Sequence, residues 1–268
     1  MYSMIPKKIH YCWFGGKPLP ELAKKCKQSW QKYFPDYEII EWNESNFDIT
    51  FNEFAYKAYQ EKKFAFFTDV ARLYIIHQNG GIYFDVDVEV IKPFDKILNN
   101  KSFFGLESIG HINTGLGFGA EKGNKLIKKI LDDYNRHVFN TSDKTLNELS
   151  CPIINSVVIR ENGFKLNGNY ESINGNTIYP IDYFNPKGGY GNNINFTKNT
   201  YSIHHYDGSW LSKEERNRSK LYNFLTLKLG EKCGSFFYYS LFSPYILISS
   251  IKEIGIKKTI NKLCFKNK

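Results

Sequence analysis

The chain has 268 residues, of which 42% are apolar and 17% aromatic, and this composition excludes an intrinsically disordered or low-complexity protein. Its length suits one large α/β domain or a domain with an appendage. Five cysteines without CxxC spacing argue against a disulfide framework and a cysteine zinc site, and favour a reducing compartment. The opening stretch, MYSMIPKKIHYCWF, lacks the long apolar run of a cleavable signal peptide, so we expect no such leader.

The net charge of +9 is concentrated near the C-terminal end of the sequence. Residues 213–268 hold twelve basic and four acidic residues, so residues 1–212 are almost neutral. We therefore expect a folded domain over 1–212 and a basic, aromatic-rich helical appendage over 213–268. Within it, residues 236–251 (FFYYSLFSPYILISSI) are too few for a transmembrane helix and are typical of a segment in a membrane interface. The alternative is a helical cap on the domain, and no nucleic-acid partner is expected.

Apolar periodicity predicts strands that alternate with helices through the first part of the chain. The predicted strands span 8–14, 37–42, 80–90, 103–106, 114–118, 177–180 and 201–205. The predicted helices span 21–34, 52–61, 64–78, 125–136 and 153–160. This alternation predicts an α/β fold with a largely parallel central sheet.

The stretch GGIYFDVDVEV (80–90) predicts a strand with one apolar and one acidic face. Asp85, Asp87 and Glu89 alternate with apolar residues, so the three carboxylates should point the same way. Carboxylates this close repel each other and raise one another's pKa unless a cation balances them. Oxygen ligands of this kind suit Mg²⁺ or Mn²⁺. We therefore expect a metal site at Asp85 and Asp87, with Glu89 on an exposed rim.

Two further polar features are expected near that site. Asp69 and Arg72 lie three residues apart on one face of an otherwise apolar helix, which favours a pair pointing into a cleft over an exposed ion pair. Of the adjacent His204 and His205, which face opposite sides of a strand, one should complete the metal site.

Trp13 ends the first predicted strand, immediately before a Gly-Gly pair. Open α/β sheets bind ligands outside the carboxyl ends of their strands. An aromatic ring at this edge can stack on a nucleobase. The alternative is an ordinary core tryptophan.

Three stretches, IPKKIHYCWFGG, FTDVARLYIIHQNGGIYFDVDVEV and IHHYDGSW, together resemble glycosyltransferase family 32. That family includes bacterial capsular and O-antigen enzymes with a DxD motif and is related to the glucosylating domain of large clostridial toxins. The resemblance spans residues 5 to about 210 and is weak over 135–199, where acceptor specificity would lie. It implies a GT-A fold, a UDP-sugar donor, Mn²⁺ or Mg²⁺, and transfer with retention of anomeric configuration.

The resemblance also implies roles for donor-binding residues. Trp13 would stack on the uracil, while Asp69 and Arg72 would hold the sugar hydroxyls and the diphosphate. Tyr83 would lie near the ribose or the sugar. Ser209 and Trp210 would close over the phosphates.

The remaining implied roles concern the metal and the chemistry. Asp87 would bind the metal directly, and Asp85 would contact the ribose and sugar and reach the metal through water. His204 or His205 would be a further metal or diphosphate ligand. Asp85 and Asp87, with Asp69 and Arg72, are therefore the expected catalytic set.

The resemblance further implies a role in surface polysaccharide synthesis. It suggests a saccharide acceptor on a lipid carrier, reached by a protein held on the inner face of the bacterial cytoplasmic membrane through anionic lipid, and it favours a galactose-type hexose. Two other functions stay open. A metal-dependent phosphohydrolase would leave Trp13 and the Asp69/Arg72 pair unexplained, and a non-catalytic, membrane-bound assembly scaffold would not need an intact DxD.

Overall fold

A computed structural model describes residues 5–140, 150–188 and 194–208, together with isolated positions between 217 and 241. Contacts within the chain divide it into two compact units, Met1–Trp210 and Leu211–Lys268. The candidate site lies in the first unit.

Strands and helices alternate through most of the first unit, as the sequence predicts. The strands are β1 (Lys8–Cys12), β2 (Glu38–Trp42), β3 (Gly81–Tyr83), β4 (Val88–Val90), β5 (Ser102–Ser108), β6 (His111–Ile112), β7 (Phe118–Ala120), β8 (Glu171–Ile173), β9 (Asn176–Tyr179) and β10 (Ser202–His204). The helices are α1 (Glu21–Tyr33), α2 (Glu53–Gln60), α3 (Phe64–Asn79), α4 (Lys125–Tyr134), α5 (Cys151–Glu161) and α6 (Ile181–Phe184).

A central sheet runs in the order β2-β1-β3-β7-β5-β9-β8, with β6 paired to β5. Strand β1 is parallel to both β2 and β3, and β5 is parallel to β9. Strand β7 is antiparallel to β3 and β5 and joins the two parallel parts. The predicted α/β class is confirmed, and the carboxyl ends of β1 and β3 meet at one edge of the sheet.

Apolar side chains cover both faces of this sheet. Successive strand residues enter different clusters: Ile82 and Phe103 pack with α1, whereas Tyr83 and Phe104 pack with α2, α3, α4 and α5. Side chains alternate across a strand, so the two clusters lie on opposite faces. Fully burying one such side chain contributes about 1.5–3 kcal/mol, so the core fixes the strand ends that carry the site.

Helix α3 ends at a pair of glycines that return the chain directly into β3. The N–H of Gly80 bonds to the carbonyl of Ile76 at 2.8 Å, and the φ of Gly80 is +65°. A Cβ on Gly81, where φ is +106°, would lie 2.7 Å from the backbone carbonyl oxygen of Lys8. Only glycine satisfies this left-handed backbone and this close packing of α3, β3 and β1.

The prediction of one continuous acidic strand over 80–90 is wrong. The chain leaves the central sheet after Tyr83, turns at Asp85–Asp87 with a hydrogen bond from the Val88 N–H to the Asp85 carbonyl (3.0 Å), and enters β4. Strand β4 then pairs antiparallel with β10 in a separate two-stranded sheet. Of the predicted strand 114–118, only residue 118 belongs to a strand.

Most of the predicted appendage lies outside the described residues, and so do Ser209 and Trp210. Within the second unit, the rings of Tyr222 and Tyr238 meet edge to face at 5.1 Å. Over the described part of the chain, the structure contains no helix with the length and apolarity needed to cross a membrane.

Candidate functional site

The turn between β3 and β4 brings two carboxylates to one histidine. Asp85 and Asp87 lie on this turn, and His204 ends β10 opposite Val88. One potential ligand atom from each of the three side chains lies within 4.8 Å of the others. The pairing of β4 with β10 therefore joins residues about 120 positions apart into a single cluster.

Asp87 is held by its neighbours as an ionised carboxylate. Its Oδ1 lies 3.1 Å from Nε2 of His204, and its Oδ2 accepts the N–H of Asp207 at 2.8 Å. Burial by itself would raise the pKa of Asp87. The His204 charge and these hydrogen bonds outweigh burial, so the pKa falls to about 2.

His204 is the ion-pair partner of Asp87. Burial favours the neutral imidazole, but Asp87 and then Asp85 favour the charged form, and the pKa of His204 is raised. Nδ1 of His204 is buried and has no hydrogen-bond partner among the described residues. An imidazole nitrogen without a protein partner is suited to a ligand that the protein itself does not provide.

The donor set fits a hard or borderline divalent cation. Two carboxylates and one imidazole suit Mn²⁺, and the carboxylates alone suit Mg²⁺. The three side chains are mostly enclosed yet close enough to share one ion. The residues present therefore fit the expected Mn²⁺ or Mg²⁺.

A buried ionic network adjoins this cluster. Arg72 is 4% exposed, and its guanidinium donates to Asp69 and lies 3.5 Å from Oδ2 of Asp85. Burial raises the pKa of Asp69 to about 6, with Arg72 opposing the rise and Asp85 adding to it. Burial likewise raises the pKa of Asp85, against the opposing charges of Arg72 and His204. The predicted Asp69/Arg72 pair thus faces inward and meets Asp85.

Tyr83 adjoins the Asp69/Arg72/Asp85 network and is almost fully buried. Its ring centroid is 5.3 Å from the Arg72 guanidinium, and Cys12 and Asp85 are its electrostatic neighbours. Burial raises the pKa of Tyr83 well above its ordinary value, so the phenol stays protonated and can donate to Asp85. Tyr83 therefore adjoins both Arg72 and Asp85 as a neutral, buried phenol.

Trp13 directly follows β1 at the same edge of the sheet. Its backbone N–H bonds to the carbonyl of Trp42 at 2.9 Å, and its indole N–H donates to the carbonyl of Lys17 at 2.5 Å. The side chain is partly exposed and packs against the α1 side of the core. The Trp13 ring is therefore held in place and partly exposed, at the carboxyl end of β1, where open α/β sheets bind ligands.

His205 is placed apart from the carboxylate cluster. Its Nε2 lies 2.9 Å from Oε2 of Glu89, which also faces Lys25 at 3.6 Å. Of the two histidines, one of which was expected to join the Asp pair, His204 lies beside Asp87 and His205 pairs with Glu89. Adjacent strand residues point to opposite sides, so the two histidines separate.

The loop between β6 and β7 contributes a feature that the sequence analysis missed. The Asn113 side chain accepts the N–H of Gly115 at 2.6 Å and donates to Glu107 at 3.0 Å. A Cβ on Gly115 would lie 2.3 Å from Oδ2 of Asp85 and 3.0 Å from Nη1 of Arg72. The glycine-rich stretch NTGLGFG was the available signal, because glycine inside an apparent strand marks a close backbone approach.

The fold and site define an α/β protein with a candidate divalent metal centre beside the carboxyl ends of its central strands. Residues 2–149, more than half of the chain, match the family model described as capsular polysaccharide synthesis protein. The chain belongs to this family, and the glycosyltransferase family expected from the sequence is confirmed.

Two curated relatives come from Schizosaccharomyces pombe. Inositol phosphoceramide mannosyltransferase 3 is 27% identical over 142 residues, covering 52% of this chain and 39% of the relative. Inositol phosphoceramide mannosyltransferase 1 is 30% identical over 122 residues, covering 41% of this chain and 37% of the relative. The chain thus spans about two fifths of the length of these relatives.

Two solved glycosyltransferase structures align with this chain. The PaToxG glycosyltransferase aligns with a TM-score of 0.47 and 18% identity, over 60% of this chain and 70% of that one. A glycosyltransferase involved in glycosylation of the major capsid of PBCV-1 aligns with a TM-score of 0.40 and 15% identity, over 80% of this chain and 100% of that one.

Proposed function

We propose that this chain is a metal-dependent, retaining glycosyltransferase that moves a hexose from a nucleotide-diphosphate sugar, with UDP favoured, to a saccharide acceptor. The observation that carries the proposal is the convergence of Asp85, Asp87 and His204 with the buried Asp69/Arg72 pair at one sheet edge. Membership in a capsular polysaccharide family supports it. The phosphohydrolase alternative gives no role to Arg72, Asp69 or Trp13.

Each proposed role of a described residue follows from its position. Asp87 and His204 would hold the cation, and Asp85, which lies in the same cluster, would contact the donor sugar. Arg72 fixes the orientation of Asp85 through the contact at 3.5 Å. Asp69 accepts hydrogen bonds from sugar hydroxyls. Trp13 stacks on the base. The roles proposed for Ser209 and Trp210 at the phosphates rest on the family resemblance alone, since both residues lie outside the described part of the chain.

The proposed reaction balances without a covalent enzyme intermediate. The bond between sugar C1 and the β-phosphate oxygen breaks, and its electron pair stays on that oxygen. The acceptor oxygen forms the new bond on the same face of C1, and its proton passes to the departing phosphate oxygen. When bound, the metal would supply Lewis-acid stabilisation of the diphosphate charge. The enclosed carboxylates and Arg72 position the donor for this step.

The transferred sugar has two candidates. A galactose-type hexose is the expectation from the sequence. The names of the two S. pombe relatives favour mannose as the second candidate. A hexose epimer differs by the direction of one hydroxyl, and Asp69 and Asp85 are the groups placed to distinguish it.

The acceptor in this proposal is a saccharide on a lipid carrier. The ceramide-linked acceptor named for the two relatives supports a lipid-borne substrate. A basic, aromatic-rich appendage over residues 213–268 would then hold the protein on anionic lipid at the inner face of the bacterial cytoplasmic membrane.

The deciding experiment is a donor screen with purified protein. UDP-galactose, UDP-glucose, UDP-N-acetylgalactosamine and GDP-mannose are each incubated with Mn²⁺ or EDTA, and sugar release is measured with and without acceptor extracts. We expect one donor to be consumed only with metal, and faster with acceptor. NMR of the product's anomeric proton tests retention. Hydrolysis of simple phosphate esters without nucleotide-sugar turnover would favour the phosphohydrolase, and no turnover would favour the scaffold.

A further inference from the structure

Lys187 places a positive charge beside the Asp85/Asp87/His204 cluster, from a segment in which the sequence predicts no strand or helix. Its Nζ donates to the carbonyl of His205 at 2.5 Å, and the N–H of His205 bonds to the carbonyl of Asp87 at 3.0 Å. Lys187 is thus tied to the backbone that directly follows β10, whose last residue, His204, contacts Asp87.

The segment that carries Lys187 is firmly anchored. Asn185 is 1% exposed and donates from Nδ2 to the carbonyl of Glu107 at 3.0 Å. The carbonyl of Pro186, which is also buried, accepts the N–H of Asn195 at 2.8 Å. The half-buried Lys187 therefore has a fixed attachment point, which reduces the entropy lost when its ammonium binds a ligand.

The charge on Lys187 is not paired within the described part of the chain. Asp87 and Asp207 both attract the ammonium electrostatically, but neither lies within ion-pair distance of it. Arg72, by contrast, already contacts two carboxylates, Asp69 and Asp85. An ammonium has three N–H donors, and among the described residues only His205 accepts one from Lys187.

A nucleoside diphosphate needs such a cation. The diphosphate carries negative charge when the donor binds, and it gains one further charge as its bond to the sugar breaks and before the acceptor proton arrives. A lysine ammonium is a point charge suited to phosphate oxygens.

We propose that Lys187 binds the diphosphate of the donor and stabilises it as the leaving group. This inference rests on the proposed function. It assigns to the segment after α6 a role that nothing in the DxD, Asp69/Arg72 or histidine patterns indicates.

The experiment compares K187Q with K187R and with a matched control, K198Q, which removes an exposed lysine from the same region. Calorimetry with Mn²⁺ measures the binding of UDP and of uridine. We expect K187Q to weaken UDP binding about tenfold and leave uridine binding unchanged, because a charge-assisted hydrogen bond to phosphate is lost. We expect K187Q also to lower kcat about 10- to 100-fold. K187R should restore most of the UDP affinity and most of kcat, and K198Q should resemble the wild type.

Chemical labelling of the wild-type protein provides a test that needs no variant. Acetic anhydride should modify Lys187 more slowly with UDP and Mn²⁺ than with uridine, as read by mass spectrometry. If the wild type binds UDP while K187Q binds it equally well, or labelling is equal with UDP and uridine, the Lys187 proposal is overturned and the proposed function survives. If the wild type binds neither UDP nor GDP, the proposed function fails and the role of Lys187 falls with it.

Discussion

Nε2 of His204 lies 3.1 Å from Oδ1 of Asp87, across the antiparallel pair β10 and β4. Without metal, this contact is an ion pair in which each group shifts the pKa of the other toward the charged form. The same two side chains are the proposed metal ligands, so protonation of the His204 imidazole competes with metal binding. This competition gives the site a specific pH dependence.

The first prediction concerns stability without metal. The lowered pKa of Asp87, about 2, contributes stability that is present above about pH 4 and is lost as pH falls toward 2. The raised pKa of His204 contributes stability that is present below about pH 6.5 and is lost as pH rises through the folded value. Urea unfolding in EDTA should therefore show wild type exceeding D87N by about 2 kcal/mol between pH 4 and 6.5, and by less outside that window.

The control for this measurement is E21Q, which breaks an exposed pair with Lys24. Its effect should be below about 1 kcal/mol at every pH. A difference between wild type and D87N that does not change with pH would contradict the assigned ion pair.

The second prediction concerns the metal. D87A should abolish Mn²⁺-dependent turnover and Mn²⁺ binding, because Asp87 is the carboxylate that pairs with His204 in the ligand cluster. Its fold should persist, as circular dichroism can verify, although the His204 and Asp207 contacts are lost. The matched control is D132N, which alters an exposed helical pair with Lys128. Full activity of D87A, or of wild type in excess EDTA, would refute metal dependence.

The third prediction concerns the base pocket. W13A should raise the donor KM about 5- to 150-fold, since stacking of a base on an aromatic ring contributes about 1–3 kcal/mol. The control is W42F, because the Trp42 indole donates to the buried His10 at 3.0 Å on a neighbouring strand. That variant should lose thermal stability with little change in KM. If W13A instead loses only stability, Trp13 is a core residue.

The alternation of elements was predictable because it depends on local periodicity, and helices α1 to α5 lie close to their expected bounds. The break in the predicted acidic strand could not be predicted from this periodicity. The pattern of Asp85, Val86, Asp87 and Val88 alternates correctly for a strand, but the chain turns there and leaves the central sheet. Long-range pairing of β4 with β10 decides this turn, and periodicity contains no information about it.

The site was predictable to the extent that its residues lie in short, characteristic motifs. The Asp69/Arg72 spacing and the DxD motif identify one part of the candidate site, because each pattern involves residues close together in sequence. The choice between His204 and His205 requires knowing which face of β10 meets Asp87. Gly115 and Lys187 reach the site from distant segments, so only the tertiary fold places them there.

The fourth prediction uses Gly115. G115A should lower kcat/KM about 100-fold, because the new Cβ must displace the Asp85 carboxylate, and a displacement of about 1 Å can cost that much. Its backbone is not left-handed, so the loss should come from the steric contact. The control is G123A, where φ is +72° and a Cβ meets no atom within 4 Å. G123A should lower thermal stability and leave activity near wild type; equal activity of G115A and wild type would show that Asp85 can move freely.

The last prediction concerns residues 213–268, whose twelve basic and four acidic residues accompany an apolar, aromatic stretch. Each basic residue near an anionic surface contributes about 1 kcal/mol, an effect confined to roughly one Debye length. Binding to phosphatidylserine vesicles should therefore weaken with salt. It should not vanish, because aromatic residues of the stretch 236–251 would still insert.

The measurement is co-sedimentation of the full chain and of a chain ending at Trp210, each at low and high salt. Vesicles of phosphatidylcholine alone provide the uncharged control, and UDP binding provides the control for a folded truncated chain. The full chain should pellet with anionic vesicles and the truncated chain should not. Equal pelleting of the two would exclude a membrane role for residues after Trp210 and would favour the alternative, a helical cap on the catalytic domain.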